Sequence, residues 1–166
     1  SSRGLGDVYK RQREAGRRFL RWAAQLHEIG RSLSFSGYHR HGAYIIENSD
    51  LPGFSRDDKA LLAALIGGHR RKVTRERLTR YVSPERVEST LRLTILLRLA
   101  HRLHRTRSRR RLPPLGLQVE GTNVVLTIDR DWLQAHPLTH ADLDDECMLL
   151  QHADYTVTLK LGREVT

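Results

Sequence analysis

From Val87 onward the apolar residues advance in steps of four: Val87, Leu91, Ile95, Leu99 and Leu103. That spacing lines them along one stripe of an α-helix. Beyond Pro113-Pro114 the period falls to two, most plainly in "YTVTLKL" (155–161), the alternation of a half-buried strand. No single element satisfies both periods, so a helical part must give way to a part with a sheet. The change falls at "RTRSRRRLPPLG" (105–116), an arginine run closed by two prolines, which is a linker signature. The chain is expected to be α+β. An all-helical domain over 13–109 precedes a small α+β domain over 110–166 with a short, mostly antiparallel sheet.

The remaining elements follow the same logic. Phe19, Trp22, Ala23, Leu26 and Ile29 mark one face of an amphipathic helix, with Gly30 where a C-terminal cap belongs. Tyr38 to Asn48 is a second helix that offers Ala43, Ile45 and Ile46 to a core. "SDLPGF" (49–54) is a turn. Ser55 stands three residues before Asp58, a capping box ahead of Leu61, Leu62, Leu65 and Ile66. Gly67-Gly68 should loosen or end that helix. Ser83-Pro84 starts another, with Ser at the N-cap and Pro at the first helical position. In the tail, Leu117 and Val119 pair with Val125, Leu126 and Ile128 around a Gly121-Thr122-Asn123 turn. "RDWLQAHPL" and "THADLDDECMLLQHAD" are helical, with Thr139 as the N-cap of the second.

Composition narrows the partners. With 166 residues and 39% apolar content, the chain suits one domain, or one with a small appendage. Its net charge of +10 favours a polyanion: nucleic acid, a phosphorylated substrate or an anionic membrane surface. Arg far outnumbers Lys, and its planar fork suits phosphate oxygens; a GC-rich genome would give the same bias. Cys147 is the one cysteine, which excludes a disulfide framework and a thiolate metal cluster and fits a reducing cytoplasm. No apolar run reaches the ~18 residues of a spanning helix. Asp7-Val8-Tyr9-Lys10-Arg11-Gln12 is similar to the translation of a transposon end used to prepare sequencing libraries. Residues 1–12 are therefore expected to be foreign to the fold, and the natural sequence to be part of a longer protein.

Two segments carry chemistry. "GYHRHGAYIIENSDLPGF" (37–54) holds His39, Arg40 and His41, which could be metal ligands, a basic hand for an anion, or a solvated helix face. "LHEIG" (26–30) resembles the "LHDIG" signature of HD-domain phosphohydrolases, in which adjacent His and Asp join a distant His and Asp around a divalent metal. Here Glu28 follows His27, and His101 stands where the distant Asp belongs. No upstream histidine occurs between 13 and 26. A metal site needs its full ligand set, so His27, Glu28 and His101 read as a degenerate motif.

Taken together, "AAQLHEIG" (23–30), "SGYHRHGAYIIENSDLPGFS" (36–55) and "GHRRK" (68–72) resemble the C-terminal half of the exopolyphosphatase/guanosine pentaphosphate phosphohydrolase (Ppx/GppA) family. Gly67-Gly68 departs from the family pattern. The resemblance implies a helical, HD-like third domain that has lost its metal and a small α+β fourth domain. It places the phosphate-binding loops, the catalytic glutamate and the Mg²⁺ site in N-terminal domains outside this chain. No catalytic residue is therefore expected here, and the chain alone should be inactive. The resemblance further implies a cytoplasmic homodimer with a basic channel for inorganic polyphosphate, with peripheral association at the inner face of the membrane left open. His39, Arg40, His41, His69, Arg70, Arg71 and Lys72 are the expected polyphosphate ligands.

Low aromatic content, 6%, suits a phosphate track better than single-stranded nucleic acid, which wants stacking platforms. Arg98, Arg102, Arg105 and Arg109 form a second basic stripe that would extend the track or lie solvated. The acidic cluster Asp142, Asp144, Asp145 and Glu146 is sufficiently explained by helix N-terminal charge preference. The substrate is expected to be polyphosphate, with guanosine pentaphosphate as the alternative. Readings of other classes are a free-standing nucleic-acid-binding module and a metal phosphohydrolase of the HD type. The linker makes a first prediction. Limited trypsin digestion should cut first between Arg105 and Pro114; a first cut within 84–104 would place the boundary elsewhere.

Overall fold

The computed structural model describes residues 2–105 and 112–162. By packing, the chain forms two units. One holds the chain up to Arg70 together with Arg75–Leu97, the other Arg71–Thr74 together with the chain from Arg98 on. The arginine run expected to join two domains falls largely on 106–111, outside the described residues.

The first unit is helical. It comprises α1 (Ser2–Leu26), α2 (Tyr38–Asn48), α3 (Arg56–Gly68), α4 (Arg75–Thr79) and the larger part of α5 (Pro84–His104). α1 is continuous through the segment expected to be foreign, and its side chains from Lys10 to Glu14 are exposed. The core begins at Phe19 and Ala23 and gathers Ala43 and Ile46 of α2 with Leu61, Leu62, Leu65 and Ile66 of α3. Every residue from Leu61 to Ile66 is buried, so this middle stretch of α3 is apolar all round and enclosed, while its charged first turn reaches solvent. Its start is the capping box expected from the sequence: the Asp58 amide donates to Ser55 Oγ at 3.1 Å, and the Ser55 amide donates to Asp58 Oδ2 at 3.0 Å. α3 ends at Gly68. A Cβ on Gly67 would lie 2.9 Å from the Tyr81 hydroxyl and 3.3 Å from Ala43 Cβ, so the extra glycine lets α3 lie close to its neighbours.

Gly30 does a different job from the one expected. α1 stops at Leu26, and Gly30 lies in a 3₁₀ turn, Ile29–Ser32. A Cβ there would fall on the Tyr38 carbonyl oxygen and 2.5 Å from the Gly42 amide. Gly30 is thus the point where the turn presses on α2, and cap geometry does not explain it. In α5 the expected register holds: the helix starts at Pro84, and Val87, Leu91, Ile95, Leu99 and Leu103 are all buried. Ser83 uses its hydroxyl to donate to the Glu85 carboxylate at 2.6 Å.

The second unit carries the sheet, in the order β1 (Leu115–Glu120), β2 (Asn123–Asp129), β3 (Thr156–Gly162). β1 and β2 form an antiparallel hairpin in which Glu120 faces Asn123 and Gly121, at φ +58°, turns the chain. β2 and β3 run parallel, with Val124 beside Val157. A parallel partner requires a crossover, supplied by α6 (Arg130–Gln134) and α7 (Pro137–Leu150). The sheet is therefore mixed within the expected α+β class. Asp129 caps α6 by accepting from the Trp132 amide at 2.7 Å. α7 starts earlier than Thr139: Pro137 takes its first position and His136 is the N-cap. A proline preset at helical φ outranks the threonine as a start, and Thr139 is instead buried inside the helix. Val124, Leu126 and Ile128 are buried, whereas their cross-strand partners Val119, Leu117 and Leu115 are exposed. The core face of the sheet thus runs out, uncovered, onto its edge strand.

Two glycines give a second prediction. Gly53 has φ +86° and open space around a built Cβ, so its requirement is purely conformational. Gly53→Val should lower stability by about 1 kcal/mol or more. Gly30→Ala adds less but strikes backbone, and should lower it further, by up to about 3 kcal/mol. Urea midpoints of the two variants check the ranking; equal or reversed shifts contradict it.

Candidate anion-binding site

The expected basic hand separates into buried and exposed side chains. On α2, His39 is buried, Arg40 exposed and His41 half-buried. After α3, His69 is buried, Arg70 half-buried, and Arg71 and Lys72 are exposed. Within the first unit the buried members meet around Tyr38. The His69 ring centroid lies 5.6 Å from Tyr38, 5.3 Å from His27 and 6.4 Å from His39. His69 Nδ1 lies 2.5 Å from the Ile66 carbonyl oxygen, which fixes the ring at the helix end. The guanidiniums of Arg31 and Arg70 lie 4.9 and 4.6 Å from the centroid of the Tyr38 ring, in cation–π range. α2 opens at Gly37, φ +66°, with no acidic residue in its first turn. That end of the unit therefore carries guanidiniums beside the positive pole of a helix.

The degenerate motif does not fit a metal. His27 Nδ1 lies 2.6 Å from the Ala24 carbonyl oxygen, and Glu28 pairs with Arg31 at 3.1 Å. His101 belongs to the second unit. Among the described residues no group of three His, Cys, Asp or Glu side chains could hold a metal ion.

The arginine stripe of α5 is not a solvated track. Arg98 and Glu146 are fully buried and paired, Arg98 Nε donating to Glu146 Oε1. Arg102 Nε donates to Glu146 Oε2 at 2.9 Å, and Arg105 Nη1 to Asp142 Oδ1 at 2.6 Å. Arg109 lies outside the described residues. The expectation for the acids is corrected with it: α7 has no acidic residue in its first turn, and Asp142 and Glu146 instead neutralise the arginines. Burial pulls the Arg98 pKa below the ordinary arginine value, and the Glu146 carboxylate opposes that pull. Arg98 Nη2 also donates to the Arg71 carbonyl oxygen at 2.7 Å. Sequence periodicity missed this cluster, although an i, i+4 acid pair facing an i, i+4 arginine pair was a usable signal.

Comparison with known proteins agrees with the residue pattern. The family model of the Ppx/GppA phosphatase, domain III, matches residues 6–147. The chain belongs to the Ppx/GppA phosphatase family. The match begins inside the segment expected to be foreign and runs across both units. Among curated relatives, a "Guanosine-5'-triphosphate,3'-diphosphate pyrophosphatase" of Photobacterium profundum is 40% identical over 121 residues, 73% of this chain and 24% of that protein. A protein of the same name from Vibrio vulnificus is 36% identical over 142 residues, 86% of this chain and 28% of that protein. The chain spans about a quarter of the length of these Ppx/GppA relatives.

The environment of Cys147 disfavours its thiolate. Burial, with Asp144 and Glu146 adding to it, pushes its thiol up to about 11. A raised thiol pKa keeps the unreactive neutral form. Iodoacetamide alkylation should therefore still climb about tenfold per pH unit past pH ~9; a plateau there contradicts the burial.

Proposed function

We propose that this chain is the substrate-holding part of a phosphoanhydride hydrolase and that it grips a run of phosphates. The observation that supports this is the outward placement of its cations: Arg40, Arg71 and Lys72 are exposed, and Arg70 lies half-buried over an aromatic ring. Phosphate contacts are assigned to Arg40, His41 and Arg70 of the first unit and, separately, to Arg71 and Lys72 of the second. His39 and His69 support them from within, around Tyr38. Consecutive phosphates present a dense line of charge, and each contact releases counterions, so affinity should fall steeply with salt.

Two ligands share that chemistry. Inorganic polyphosphate has nothing but phosphates, which suits a hand made of cations. The names of the relatives favour guanosine-5'-triphosphate,3'-diphosphate. Catalysis is assigned to parts of a longer protein, where Mg²⁺ would help stabilise the transferred phosphoryl group; the residues described here supply no ligand set for it.

The test is a titration of the chain with each ligand at two salt concentrations, with a phosphate-release assay in the presence of Mg²⁺. Both ligands should bind, more weakly at high salt, without phosphate release. Arg40→Ala with Arg70→Ala should weaken binding about tenfold or more. Salt-insensitive binding would sink the phosphate grip, and phosphate release by the pure chain would sink the assignment of catalysis elsewhere. Preference for one ligand decides the substrate.

A further inference from the structure

The turn Arg70–Lys72 is strung between two buried residues, His69 and Val73. At its centre Arg71 adopts φ +64°, a left-handed conformation that a side chain with a Cβ rarely takes. The Arg71 side chain is exposed, so its packing does not impose that backbone. The carbonyl does have a fixed partner. Arg98 Nη2 donates to it at 2.7 Å, reaching across 27 residues of sequence. Arg98 is itself immobilised: it is fully buried and its Nε is held by Glu146, which also accepts from Arg102. One guanidinium thus grips a carboxylate on one edge and a strained backbone carbonyl on the other. Arg is suited to this because its donors lie in a rigid plane, whereas an ammonium is a compact point charge on a flexible stem.

We propose that Arg98 is a positioning residue for anion binding: clamped by Glu146, it fixes the Arg71 carbonyl and so holds Arg71 and Lys72 in the conformation that meets phosphate. The inference rests on the phosphate-gripping function proposed above. Arg98 touches no ligand. It acts through the turn, and it converts a strained loop into a preorganised one, so the cations lose less freedom when they bind.

A mutant cycle on the whole chain, with inorganic polyphosphate as the probe, tests this. Arg98→Lys keeps a charge for Glu146 but lacks the fork. Arg98→Met with Glu146→Leu removes both buried charges, a replacement that proteins commonly tolerate without loss of stability. Each should weaken binding about tenfold while melting stays cooperative. In an Arg71→Ala, Lys72→Ala background the same changes should have no further effect, because the cations they position are gone. A purely structural role would weaken binding equally in both backgrounds and overturns the proposal, as does full affinity in the Arg98 variants. If the unsubstituted chain shows no salt-sensitive affinity for polyphosphate, the phosphate-gripping function itself fails and the positioning role falls with it. Should the variants not fold, backbone NMR order parameters of the unsubstituted protein still decide. Values of a rigid backbone, about 0.85, are expected at Arg71 and Lys72, and values below about 0.6 overturn a fixed turn.

Discussion

A guanidinium removed from water must find its acceptors inside the protein, and Arg98 finds them on elements far apart in sequence. Glu146 lies 48 residues away and the Arg71 carbonyl 27. Losing one partner would strand a buried charge, which is far more damaging than never having buried the pair. The last turns of α5, the middle of α7 and the turn at 71–74 therefore hold together as one cooperative knot. Arg102 and Arg105 extend it toward the surface through Glu146 and Asp142. Within this unit the basic residues are thereby sorted: Arg98, Arg102 and Arg105 build the fold, whereas the Arg71 side chain faces solvent.

The first unit relies on a different constraint, the closeness of backbones. Gly30, Gly42 and Gly67 each sit where a side chain would collide with a neighbour; at Gly42 a Cβ would come within 2.8 Å of Ile66 Cγ2. This tight seam brings the end of α3 close to the start of α2, which is why His69 and Tyr38 share one aromatic cluster with His27 and His39. The histidine pattern that looks like chemistry in the sequence is in part a product of packing. The cations beside it, Arg31 and Arg70, are held by the face of Tyr38.

Legibility in the sequence follows the range of the interaction. The helix Tyr38–Asn48, the Ser55–Asp58 capping box, the start at Pro84 and the hairpin at Gly121 are set by residues a few positions apart, and local pattern finds them. Gly30 and Thr139 carry local signals that point the wrong way. A glycine after a helix reads as a cap, and its contact with Tyr38 and Gly42 is invisible without the fold. A threonine before an acidic run reads as a start, but Pro137 acts first. The Arg98 cluster is harder still, since its partners lie tens of residues off. The expected basic hand was half legible: residue type points to His39 to His41 and His69 to Lys72, but only the fold shows that His39 and His69 are buried while Arg40, Arg71 and Lys72 are exposed.

The open edge of the sheet carries a consequence for behaviour in concentrated solution. Leu115, Leu117 and Val119 continue the core face onto a strand whose outer edge has no neighbouring strand among the described residues. Such a margin is a template on which another extended segment can add itself, and proteins commonly blunt it with charge. Here the strand offers Gln118 and Glu120 on the opposite face and no lysine. Crowding would thus favour sheet-to-sheet growth along this margin. A lysine in place of Val119, whose side chain is half exposed at 54%, would disfavour that growth while leaving the buried strand β2 untouched.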